Sequence, residues 1–176
     1  SVSDICRDNS VTCLAPTKAF NLAGLQTAAV MVPNPVIRHK LERGLNTDEV
    51  AEPNSFAIGA AVAAFQKGGA WPEELREYLA RNKRFVRRFL EEKLPEIKAV
   101  PSQATYLLWL DCGAVTEDAG KLTAFIRQDS GLYLTEGEEY GACGKRFIRL
   151  NPACPRGRLQ EGLERLKTSL EHWRRL

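Results

Sequence analysis

From Pro72 to the C-terminus the apolar residues change spacing four times, and that alternation restricts the fold more than any other property of the chain. Leu75, Tyr78, Leu79, Val86, Phe89 and Leu90 recur at the interval of one helix face, with Pro72 placed to start the helix and Pro95 to close it. Two strands are predicted next, over 97–100 and 105–111. A helix over 116–129 follows, with Thr116 as its cap, Leu122, Phe125 and Ile126 inward, and Gly131 where a C-terminal cap belongs. A short strand over 132–135, a glycine-bearing loop over 136–144 and a strand over 146–150 lead to a last helix opened by Pro155. There Leu159, Leu163, Leu166, Leu170 and Trp173 form one face. Helices alternating with short strands in this way make an α+β layer, helices packed on one small sheet.

The first 71 residues read differently. Continuous apolar runs over 11–15 and 27–32 predict two strands of the kind found in a sheet covered on both faces. Pro35 opens a helix with Ile37, Leu41 and Leu45 on one side. The segment 55–66, capped by Asn54, is a helix apolar almost all round, through Phe56, Ile58, Val62 and Phe65, and such a helix is expected to be enclosed. The break at Gly68-Gly69-Ala70 sets the expected domains at 1–71 and 72–176.

Charge and cysteine content exclude several function classes. Twenty-five basic and 22 acidic residues are well mixed and leave a net charge of only +3, so no nucleic-acid-binding stripe is implied. The run Arg81-Asn82-Lys83-Arg84-Phe85-Val86-Arg87-Arg88 alternates with apolar positions and reads as the solvated face of an amphipathic helix. Five cysteines, none in a CxxC pair, with only His39 and His172 to join them, make a zinc site an unsuitable reading. Reduced thiols, no apolar run near membrane-spanning length and no signal pattern lead to an expected cytoplasmic protein without membrane partners.

Two blocks carry chemistry. The first is Leu14-Ala15-Pro16-Thr17-Lys18-Ala19-Phe20-Asn21-Leu22-Ala23-Gly24-Leu25, a lysine in a turn at the end of a strand. The second is Arg146-Phe147-Ile148-Arg149-Leu150-Asn151-Pro152, where strand alternation puts Phe147, Arg149 and Asn151 on one face and Arg146 and Ile148 on the other. In this order the blocks resemble those of fold-type I pyridoxal-phosphate enzymes. The nearest resemblance is to the branch of class I/II aminotransferases that includes the cystathionine β-lyase type of C–S lyases. It implies an α/β fold: a remnant of the large cofactor-binding sheet domain in 1–71, followed by the small α+β C-terminal domain in 72–176.

The same resemblance implies pyridoxal 5'-phosphate as cofactor, Lys18 as its Schiff-base lysine and catalytic base, Thr17 as a phosphate-binding hydroxyl and Arg149 as the clamp for the carboxylate of an amino-acid substrate. A homodimer is implied for the intact enzyme. Two positions depart from many relatives: Ala15 where a hydroxyl is common, and Gln26 where an arginine is common. Asn21 and Phe20 are read as holding the turn, and Tyr106, Leu108 and Trp109 as core. Such a lysine normally lies past the middle of its chain. The pyridine-pairing carboxylate, the ring-stacking aromatic and the phosphate cradle are therefore expected in a segment before Ser1, and this portion alone is expected to be inactive. No residue decides between transamination and β-elimination. The alternative class is a non-catalytic small-domain module that binds a protein partner.

Overall fold

The computed structural model describes residues 3–176; the first two residues of the expected 1–71 domain lie outside the described residues. The chain divides into two compact units, Ser1–Leu75 and Arg76–Leu176.

In the first unit, α1 (Asp4–Asp8) begins at Ser3, whose Oγ accepts the Cys6 N–H at 3.2 Å. β1 (Thr12–Leu14) and β2 (Ala29–Met31) pair antiparallel, Cys13 opposite Val30. All six strand residues are exposed, which differs from the covered strands that the apolar runs predict. Among the described residues the sheet has these two strands, so neither is central and both have an open edge. α2 (Pro35–Thr47) starts as expected, with Asn34 Oδ1 accepting the N–H groups of Val36 and Ile37 at 2.9 and 3.3 Å. α3 (Ala57–Lys67) buries only Ala57. Phe56, Ile58, Val62 and Phe65 are 78%, 62%, 47% and 58% exposed, so the enclosure expected of so apolar a helix is not found among the described residues.

α4 (Ala70–Lys93) starts two residues before Pro72. A proline in the first turn is tolerated because the N–H it lacks would have had no helical partner there. β3 (Lys98–Ala99) and β4 (Leu108–Asp111) follow. β4 begins three residues later than expected because Thr105 adopts a left-handed backbone, φ 62°, and its carbonyl accepts from Lys83 Nζ at 3.0 Å. α5 (Ala119–Ser130) is capped by Asp118 rather than Thr116: Asp118 Oδ1 accepts the Lys121 N–H, while the Thr116 hydroxyl accepts the Asp118 N–H. Gly131 caps the other end at φ 68°. β5 (Thr135–Glu136), β6 (Phe147–Leu150) and α6 (Arg156–Trp173) complete the unit.

The four strands form one antiparallel sheet in the order β3-β4-β6-β5. Strand alternation turns Leu108, Leu110, Ile148 and Leu150 inward. They meet Val86, Phe89 and Leu90 of α4, Leu122 and Ile126 of α5, and Leu159, Leu163, Leu166 and Leu170 of α6 in a single core. Each such side chain contributes on the order of 1.5–3 kcal/mol by leaving water. The other sheet face carries Trp109, Asp111, Phe147 and Arg149, all half-buried. Tyr106 and Trp109, read from sequence as core, are only half-buried; Leu108 alone of the three is buried.

Asn82, Thr123 and Ser169 are the buried polar residues among those described, and Asn82 bridges two segments. Asn82 is fully buried, and its Nδ2 donates to the carbonyls of Pro152 at 2.8 Å and Cys154 at 3.0 Å. It thereby ties α4 to the segment that follows β6. Asn82→Ala should cost about 2–4 kcal/mol in urea unfolding, since two carbonyls lose their donor. Asn82→Asp should cost more, by setting a carboxylate against both carbonyls. A loss under about 0.5 kcal/mol for Asn82→Ala would show that the tie is dispensable.

Candidate active site

Lys18 lies in a single helical turn just beyond β1. The turn is closed by the Phe20 N–H donating to the Pro16 carbonyl at 2.9 Å and the Leu22 N–H to the Thr17 carbonyl at 3.0 Å. The second bond spans six residues, the geometry that terminates helices when the fifth residue is left-handed. That residue is Asn21, at φ 55°. Asparagine tolerates this region better than most side chains.

The turn is also pinned from outside. The Trp71 indole N–H donates to the Ala19 carbonyl at 3.1 Å. The Phe20 ring meets Phe65 edge-on, centroids 5.8 Å apart, and lies so close to Gly68 that a Cβ there would fall 2.6 Å from the ring and 2.5 Å from the Ala64 carbonyl oxygen. Pro16 is buried, Thr17 is half-buried and Lys18 is exposed. Lys18 makes no hydrogen bond or ion pair among the described residues. A free amine therefore stands on a backbone that is fixed on both sides.

Arg149 lies in the second unit, with Trp109 of β4 opposite it on one side and Thr135 of β5 on the other. Its Nη2 donates to the Thr135 hydroxyl at 3.2 Å, and its guanidinium carbon sits 5.0 Å from the centroid of the Tyr140 ring. Tyr140 meets Trp109 edge-on at 5.7 Å, and Trp109 stacks on Phe147 at 5.6 Å. The loop holding Tyr140 closes where Gly137 and Gly144 touch backbone to backbone, leaving no room for a Cβ at either. No carboxylate pairs with Arg149 among the described residues. Arg146 differs: it precedes β6, so strand alternation does not hold it to the opposite face as expected. Its Nη2 binds Asp111 Oδ2 at 2.9 Å, and its guanidinium covers the Phe147 ring at 5.1 Å.

Arg149 also lines a cavity of about 390 Å³ that includes Asn151, Cys154 and Arg158. Burial pushes the Cys154 thiol up, against the opposing effect of Arg158, so it stays protonated at neutral pH. Cys112, at the end of β4, is pushed up to about 12 by burial and then by the Asp111 carboxylate. Neither thiol is an activated nucleophile. Among the described residues no group of three or more His, Cys, Asp and Glu could hold a metal ion, and no helix is long and apolar enough to cross a membrane.

The structure thus puts Thr17 and Lys18 on one turn of the first unit and Arg149 on the sheet of the second. Three contacts escaped the sequence reading: Trp71 to the lysine turn, Thr135 to the guanidinium, and Tyr140 over it. Thr135 and Tyr140 depend on the pairing of β5 with β6, and Trp71 on a contact 52 residues distant, which spacing does not reveal.

The family model for aminotransferase class I and II matches residues 6–166. This chain belongs to that family. It is 39% identical over 170 residues to cystathionine beta-lyase PatB of Bacillus subtilis, covering 97% of this chain and 44% of PatB. It is 30% identical over 162 residues to protein MalY of Escherichia coli, covering 92% of this chain and 42% of MalY. Among solved structures it is similar to cystalysin of Treponema denticola, which contains pyridoxal 5'-phosphate, with a TM-score of 0.89 and 30% identity. That likeness covers 98% of this chain and 44% of cystalysin. The architecture is therefore that of fold-type I enzymes, and the chain spans less than half the length of the curated relatives it matches.

If the left-handed residue is what closes the lysine turn, Asn21→Gly should leave stability within about 0.5 kcal/mol, whereas Asn21→Val should lose roughly 1–2 kcal/mol. Chemical denaturation of the two variants checks this. Equal stability would mean that the turn is held by Trp71 and Phe20 alone.

Proposed function

We propose that this chain supplies the cofactor-holding turn and the carboxylate-binding strand of a pyridoxal-phosphate-dependent enzyme acting on an α-amino acid, by C–S β-elimination or transamination. The observation that carries the proposal is the contrast between two neighbouring arginines. Arg146 is neutralised by Asp111, while Arg149 is presented on a half-buried sheet face with no carboxylate partner among the described residues. A planar guanidinium held by a hydroxyl and an aromatic ring is suited to bind a substrate carboxylate through two parallel hydrogen bonds.

The residues present fit part of what the cofactor requires: a free amine on a fixed turn and the hydroxyl of Thr17 beside it. Lys18 Nζ would hold the aldehyde carbon and Thr17 Oγ1 would donate to the phosphate. When bound, the cofactor supplies an electron-accepting ring that makes the substrate's Cα proton removable. The amine of Lys18, when free, would take that proton from Cα. Arg149 would bind the substrate carboxylate through its planar guanidinium and so restrict how the substrate turns about Cα. Tyr140 and Thr135 keep the guanidinium plane from rotating.

β-Elimination is the outcome favoured by the likeness to PatB, a cystathionine beta-lyase. A homodimer of the intact enzyme belongs to the same proposal, because the exposed apolar side chains of α3 are surface that a further segment or subunit would cover. A partner-binding module with no chemistry would have no use for an unpaired amine on so constrained a turn.

In the intact enzyme, Arg149→Lys should leave the visible absorbance of bound cofactor intact and lower kcat/KM by about 30- to 1000-fold, the equivalent of roughly 2–4 kcal/mol. Arg146→Lys should change it less than about threefold, since a lysine can still pair with Asp111. Similar losses at both positions, or an Arg149 effect confined to folding, would identify Arg149 as a structural cation.

A further inference from the structure

The run of arginines on α4 does not stand alone on a solvated helix face. Arg81, Arg84, Arg87 and Arg88 line a concave surface, open to solvent and about 510 Å³ in volume, with Phe85 and with Arg156 from the start of α6. Arg156 is held there in two ways. Its backbone N–H donates to the Tyr78 hydroxyl at 2.8 Å, and its guanidinium carbon lies 4.3 Å from the centroid of the Phe85 ring.

Five guanidiniums share this hollow with one carboxylate, Glu91. Arg81 has a loose contact with Glu77 at 3.8 Å, both side chains largely exposed. Arg84, Arg87, Arg88 and Arg156 have no carboxylate partner among the described residues. Elsewhere the helices of this unit set opposite charges four residues apart, as in Glu161 with Arg165 and Lys167 with Glu171. Here the four-residue spacing joins Arg84 to Arg88, a like-charge pair that weakens a helix. An anion bound between them would relieve that repulsion.

We propose that this hollow is a binding site for a small molecule carrying a chain of phosphates. The guanidinium fork matches phosphate oxygens in pairs. The volume falls in the range of small-ligand pockets. Several cations converging from two helices favour several linked anionic groups over one. Neither Lys18 nor Arg149 lines this hollow, and the proposal does not depend on the reaction proposed for them.

Isothermal titration calorimetry of the full chain with sodium tripolyphosphate tests this. One saturable site is expected, at least about tenfold tighter than for orthophosphate and weakened by added salt. Replacing both Arg84 and Arg88 by Gln should weaken it by at least about tenfold. Phe85→Leu, which removes the stacking surface under Arg156, should weaken it by about threefold. Arg165→Gln, at a paired arginine elsewhere, should leave it unchanged, and thermal melts of the variants should show that each is folded. A nucleoside triphosphate that binds more tightly than tripolyphosphate would identify a nucleotide as the source of the phosphates; equal affinity would identify the phosphate chain itself. The proposal is overturned by the absence of saturable binding, by an unchanged affinity in the double variant, or by single-stranded oligonucleotide binding that tripolyphosphate does not displace.

Discussion

Strand β6 is paired on both sides, with β4 and with β5, and its register decides what each face of the sheet presents. Ile148 and Leu150 are buried among the helices, so Phe147 and Arg149 must point the other way. A slip of one residue would drive a guanidinium into an apolar core and expose two large aliphatic side chains, which the strand cannot sustain. The same pairing sets Trp109 and Thr135 beside Arg149 and, through the turn after β5, brings Tyr140 over it. Asn82 fixes the chain where it leaves β6. Core packing and the placement of the guanidinium are thus one constraint.

The lysine turn is built by other means. The unit that carries it has few buried side chains, and its two strands are open on their outer edges. Position is maintained locally instead, by a left-handed asparagine, a close approach at Gly68 and an indole hydrogen bond. A fixed backbone beneath a free side chain suits the role proposed for Lys18.

Much of the second unit was legible because helical and strand periods are strong signals there. The leucines of α6 and the alternation in β6 lie where spacing put them. Boundaries were less legible, and the reasons are particular. β4 starts late because Thr105 is left-handed and bonded to Lys83; α5 is capped by Asp118 because the Thr116 hydroxyl is engaged with that residue. Lys18 and Arg149 stood out by their neighbours in sequence, whereas Thr135, Tyr140 and Trp71 act through contacts that only folding creates. The apolar composition of α3 calls for burial, yet Phe56, Ile58, Val62 and Phe65 are exposed among the described residues. An apolar composition states what a helix needs covered; it does not state by what.

The central claim is that Lys18 is the amine that holds the cofactor. Reduction of the intact, cofactor-loaded enzyme with sodium borohydride, followed by peptide mapping in a mass spectrometer, tests it most directly, because the reagent fixes the cofactor to whichever amine carries it. The account predicts a single modified peptide with the cofactor on Lys18. Modification at another lysine, or spread over several with Lys18 unlabelled, would contradict it.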